Sequence, residues 1–121
     1  MPATGVAALP LTLHAFDVVV VPFPFTDRQA SKRRPALVLS NSAFNASAQH
    51  SVLAMITSAD QSAWPGDHAI QDLTGAGLST PCVVRLKLFT LDHRLVIRQC
   101  GVLGVADQKK LRLAWKGMLG V

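Results

Sequence analysis

The chain has 121 residues, half of them apolar and only 16% charged. That supplies one hydrophobic core without disulfide staples and argues against disordered, collagen-like or disulfide-rich classes. Twelve Lys and Arg face seven Asp and no Glu, so the formal net charge is +5. This balance favours polyanionic partners, because clustered cations release counterions from phosphate backbones.

No membrane span is expected. The longest apolar run, residues 18–25, is interrupted by Pro22 and Pro24 and falls well short of the roughly 20 residues a spanning helix needs. Residues 1–14 read as a poorly ordered leader. They lack a basic n-region and carry Pro10, which argues against a signal peptide. Residues 15–121 then form one domain. Cys82 and Cys100 lie in apolar stretches with no metal-ligand spacing, so they read as small buried hydrophobes in a reducing, cytoplasmic setting.

In chain order, residues 16–21 are β-branched and stop at the proline pair, the pattern of a strand running into a loop. Residues 26–34 are polar and basic and read as a long loop. A second strand is expected over 35–40, with proline at its first position. Residues 41–49 are a polar connector containing one helical turn, and 51–57 form a buried third strand. The glycine- and proline-containing stretch 59–81 reads as a loose insertion with a short strand near 68–70. In residues 82–88, Val84, Leu86 and Leu88 alternate with Val83, Arg85 and Lys87, giving a core face and a face with two cations. A last strand is expected over 95–103. Asp107 then caps a helix whose Leu111, Ala114, Trp115 and Met118 recur at helical spacing, with Lys109, Arg112 and Lys116 opposite. Short strands followed by one helix predict a mainly β fold, a small antiparallel barrel capped by a C-terminal α-helix.

Among chemistry-bearing residues, the densest cluster is Arg28, Lys32, Arg33 and Arg34. A basic loop with an arginine at a strand's start can grip phosphate bidentately, or can be an ordinary solvated loop. Thr57 and Ser58 end the third strand, where hydroxyls can donate to phosphate oxygens or form a turn. Arg85 and Lys87 add cations. The four histidines have no ligand spacing, so neither a metal nor a cofactor is expected. The pair Asp17 and Asp27 has no identifiable partner, and Trp64 and Trp115 read as packing residues in preference to base-stacking platforms.

The order of these segments resembles the MazF/PemK (Kid) family of toxins. The likeness runs through residues 16–27, 32–40 (Lys-Arg-Arg-Pro-Ala-Leu-Val-Leu-Ser), 54–58 (Ala-Met-Ile-Thr-Ser), 66–67, 76–78, 81–90 (Pro-Cys-Val-Val-Arg-Leu-Lys-Leu-Phe-Thr) and 101–104. It implies an SH3-like barrel, a homodimer, and metal-independent cleavage of single-stranded RNA, opposed by a cognate antitoxin with an acidic, partly disordered segment. The family's catalytic arginine and threonine map to Arg34 and Thr57, and a further arginine of Kid-like members maps to Arg85. Two departures stand out: Lys87 occupies the place of an aspartate, and residues 22–34 hold no match for a loop histidine. A non-catalytic barrel that binds nucleic acid or an acidic peptide is the alternative reading.

Overall fold

The computed structural model describes residues 12–23 and 32–121. Residues 1–11 of the expected leader lie outside this range, as does Arg28. Leu13, at the leader's end, is only 1% exposed and belongs to the core.

Six strands are built from the β-branched and apolar runs: β1 (Asp17–Pro22), β2 (Arg33–Val38), β3 (His50–Ser58), β4 (His68–Ala69), β5 (Cys82–Asp92) and β6 (Arg98–Val102). They form one antiparallel sheet in the order β4-β5-β3-β2-β1-β6, curled into a half-barrel. Helix α1 (Ser42–Ala48) joins β2 to β3, and α2 (Val105–Lys116) closes the chain.

The expected loop at 26–34 is shorter than its composition implies. Arg33 and Arg34 belong to β2, paired with Pro22 and Val21 of β1. A basic side chain does not prevent strand formation where the neighbouring strand supplies partners, and the Phe23 N–H extends the ladder to the Lys32 carbonyl (3.1 Å). The expected helical turn is a full short helix. Asn41 caps it by accepting from the Phe44 N–H (2.9 Å), and Gln49 ends it in the left-handed region at φ 53°.

Strand periodicity of two sorts the sheet into two faces, and both are covered. The first carries Val18, Leu37, Ala54, Ile56 and Val84, with Leu111 and Trp115 of α2 packed on it. The second carries Val19, Val21, Ala36, Val38, Leu53 and Leu91, closed in part by Leu13.

Helix α2 differs from expectation in two ways. Its N-cap is Gly104, not Asp107. Asp107 lies in the first turn and is buried, accepting from the backbone N–H groups of Gln71 (2.9 Å) and Asp72 (3.0 Å) and bonding His68 Nε2 (2.8 Å). Burial opposes ionisation there, but the N–H groups of Asp72 and Gln71 and the His68 ring together hold the carboxyl below its ordinary range. The buried stripe is Asp107, Leu111 and Trp115, while Ala114 and Met118 are exposed. Lys109, Arg112 and Lys116 face solvent as expected.

Candidate nucleic-acid interface

Hydrogen-bond parity in β2 decides how the basic strand meets β3. Phe23 donates to Lys32, and Leu39 donates to the Val52 carbonyl (2.8 Å). Even-numbered residues of β2 therefore bond to β1, and odd-numbered ones direct their N–H toward β3. Pro35 is odd-numbered and has no N–H. The recorded β2–β3 pairs accordingly stop at Ala36 with Met55, where one more donor would have met Ile56. Continuing the register two residues further places Arg34 opposite Thr57.

A cleft of about 290 Å³ opens at this point, bordered by Arg34, Thr57, Ser58, Arg98 and both cysteines, with loop 77–80 along one side. Gly77 holds that loop against β6. Its φ is +76°, and a Cβ there would stand 2.0 Å from the Cys100 carbonyl oxygen. Cys82 and Cys100 are free thiols packed on the first face. Burial pushes the Cys100 thiol upward, outweighing the opposing pull of Arg98.

By the same periodicity, Arg34, Thr57, Arg85 and Lys87 all project from the second face of the sheet. The β3–β5 ladder has an irregularity between Ala54 and Met55, but it accommodates two extra residues on β5, so alternation survives it. Arg33 and Ser58 belong to the opposite face. Lys32 is exposed immediately before β2. The Ser58 hydroxyl is engaged locally, donating to Asp60 (2.6 Å).

The two arginines on the shared face differ in electrostatic state. Arg34 stands over the Phe23 ring at 5.5 Å, and among the described residues its buried Nε has no hydrogen-bond partner. Among the described residues no carboxylate pairs with it. Arg85, by contrast, is 8% exposed. Its Nε and Nη2 donate to the two carboxylate oxygens of Asp67 (3.0 and 2.9 Å), and Nη2 also reaches the Ser62 carbonyl (2.7 Å). The bond to Asp67 raises its pKa further, against the opposing effect of burial. The face expected to present two cations thus presents one arginine already compensated. Thr57 is 5% exposed, at the cleft's edge.

Two residues of this region were not singled out as ligands by the sequence: Arg98 and Asp67. Arg98 is opposite Val20 across β1–β6, and no local pattern announces it. Trp115 is a packing residue, 3% exposed, its Nε1 donating to the Gly66 carbonyl (2.8 Å). Trp64 is not: it is 41% exposed. Among the described residues no group of three or more potential metal ligands occurs, and no helix is long and apolar enough to cross a membrane.

These features define a curled antiparallel half-barrel, closed by a C-terminal helix and bearing a cationic, hydroxyl-edged cleft beyond the end of the β2–β3 pairing. The chain belongs to the PemK-like, MazF-like toxin family of type II toxin–antitoxin systems, which it matches over residues 14–118. In three dimensions it is similar to MazF from Deinococcus radiodurans, with 24% identity, a TM-score of 0.70, and coverage of 92% of this chain and 99% of that chain. It is also similar to the Mycobacterium tuberculosis toxin MazF-mt6, with 20% identity, a TM-score of 0.67, and coverage of 84% and 93%. A third likeness is to an endoribonuclease from a Mycobacterial species in complex with its cognate antitoxin, with 19% identity, a TM-score of 0.71, and coverage of 90% and 96%. At these identities the likenesses show the fold. No curated protein sequence matches the chain.

Proposed function

We propose that the protein is a sequence-selective endoribonuclease toxin of the cytoplasm that cleaves single-stranded RNA, messenger RNA included, without a metal ion. The observation that carries this reading is that Arg34 and Thr57 border one cleft just beyond the last β2–β3 pair, with Arg34 lacking a carboxylate partner among the described residues. The ribose 2′-OH attacks the adjacent phosphorus and loses its proton. The P–O5′ bond breaks and the departing O5′ gains a proton, leaving a 2′,3′-cyclic phosphate and a 5′-OH. The protein's part is in-line positioning and stabilisation of charge on the phosphorane oxygens. Arg34 supplies the charge-assisted donors, and Thr57 hydrogen-bonds a non-bridging oxygen or orients the 2′-OH. Lys32 and Lys87 add cations on or beside the face that carries Arg34 and Thr57, Arg33 adds one on the opposite face, and Arg28 is a further candidate cation by its place in the sequence. DNA lacks the nucleophile and is not cut. Relatives in the fold are complexed with antitoxins, which supports a cognate antitoxin whose acidic segment competes for the same cationic surface. A homodimer is the expected assembly.

The Arg85–Asp67 pair favours the second reading, a barrel of this fold that binds RNA or an acidic peptide without cutting. One experiment separates the two: purified protein and Arg34→Ala incubated with long mixed-sequence RNA in EDTA, with both product ends analysed. Discrete cuts with 5′-OH and cyclic phosphate ends, lost in Arg34→Ala while its melting temperature is kept, support the ribonuclease. Salt-sensitive binding with intact RNA overturns it.

A further inference from the structure

Trp64 begins a turn that leaves its indole little freedom. The Asp67 N–H donates to the Trp64 carbonyl (3.1 Å), Pro65 and Gly66 occupy the central positions, and Gly66 has φ +83°. This is a type II turn, in which proline pre-sets the first central residue and glycine accepts the positive φ of the second. The turn is tied down on three sides. Asp67 is held by Arg85 and itself accepts from the Trp64 N–H (3.1 Å). Trp115 of α2 donates to the Gly66 carbonyl, and Trp64 Nε1 reaches the Leu86 carbonyl (3.3 Å).

The ring is laid across the two cations of β5. The Arg85 guanidinium carbon is 5.7 Å from its centroid and Lys87 Nζ is 5.4 Å away. Both side chains leave the sheet on the face shared by Arg34 and Thr57, and Arg85 lies one diagonal step from Thr57 through the Thr57–Val83 and Met55–Arg85 pairs. A large aromatic is therefore fixed in orientation on the face that carries Arg34 and Thr57, with much of its surface in water. Fixing an exposed indole with hydrogen bonds gains no burial, and a rigid π surface bordered by cations is what an unpaired base stacks on.

We infer that Trp64 is a stacking platform for one unpaired base of the bound strand, next to the nucleotides held at Arg34 and Thr57, and that it contributes to the choice of cleavage site. The inference rests on the ribonuclease reading above. Stacking is sequence-tolerant in kind but strongest for purines, so a platform at one fixed distance from the scissile phosphate biases one position of the site.

The test uses wild-type protein, Trp64→Ala and Trp64→Phe, with an oligoribonucleotide that the wild type cleaves, carrying 2′-deoxyribose at the scissile nucleotide. Binding is followed by tryptophan fluorescence and by abasic substitution at each position in turn. The expected result has three parts. The strand quenches Trp64 emission in the wild type, and one abasic position weakens wild-type binding about tenfold or more. The same abasic change has no effect in Trp64→Ala. Trp64→Phe restores most of the affinity, and KM rises in Trp64→Ala by a larger factor than kcat falls. Cleavage without quenching, or equal abasic sensitivity in wild type and Trp64→Ala, overturns the platform and leaves the ribonuclease reading intact. Absence of both cleavage and binding by the wild type overturns that reading and the platform with it.

Discussion

Both carboxylate oxygens of Asp67 are occupied by Arg85, a residue 18 positions away in sequence and on a different element. The pair is largely enclosed, with side-chain exposures of 10% for Arg85 and 18% for Asp67. Removing one partner strands the other charge, so Asp67→Ala is expected to destabilise the fold by about 3 kcal/mol. The double variant Asp67→Ala/Arg85→Ala should cost less than the sum of the singles, as urea unfolding of the four proteins will show. Strictly additive losses would mean that the two residues act independently.

Pro35 offers a sharper test of how the cleft arises. Pro35→Ala supplies the N–H that β2 lacks, and the Ile56 carbonyl is its natural acceptor. The new bond contributes about 1 kcal/mol, and the unfolded chain gains about as much freedom from losing proline. Stability should therefore stay nearly level while RNA cleavage falls, because Arg34 and Thr57 are drawn into the ladder. Protection of the new amide in hydrogen exchange together with full activity would show that the proline does not hold the strands apart.

Acid stability follows from two buried groups. Burial, with a smaller contribution from His50, lowers the pKa of His93 below the usual imidazole value, and its Nε2 shares a hydrogen bond with Ser51 Oγ (2.7 Å). A lowered folded-state pKa means that the unfolded chain binds the proton more readily. The His93 contribution is then present above pH ~6.5 and lost as pH falls below it. Asp107 has the same sign: its contribution is present above pH ~4 and lost as pH falls further. Urea midpoints should fall steadily from pH 7 to pH 3, and Asp107→Asn should flatten the lower part of that curve. An unchanged lower limb in Asp107→Asn would remove the carboxyl from the account.

Two glycines separate backbone need from sequence habit. Gly77→Ala forces a side chain into the left-handed region and against the Cys100 carbonyl, so it should destabilise by about 2 kcal/mol or more. Gly120→Ala, with nothing within 4 Å, should be neutral. Thermal melts of the two variants give the comparison directly, and equal melting temperatures would show that loop 77–80 is not held by this contact.

Much of this architecture was legible in the residues. Alternation in residues 82–88 placed Arg85 and Lys87 on one side of β5, and the hydroxyl pair at 57–58 marked the end of β3. Local reading failed where a partner from elsewhere in the chain decided the outcome. Asp107 precedes an amphipathic run and so resembles a cap, but its acceptors are used by Gln71 and Asp72, 36 and 35 residues away. Arg33 and Arg34 look like loop residues until β1 is placed beside them. The compensation of Arg85 by Asp67 and the exposure of Trp64 depend on how the chain between β3 and β4 folds over β5, and no periodicity encodes that. Ala114 fits the helical repeat but is exposed, and Met118 lies two residues past the end of α2.

The missing hydrogen bond from β2 to β3 at residue 35 is a covalent property of Pro35 rather than a conformational equilibrium. No change of temperature, salt or acidity can restore a hydrogen atom that the imino acid never had. The missing bond is therefore the same in every state of the folded chain.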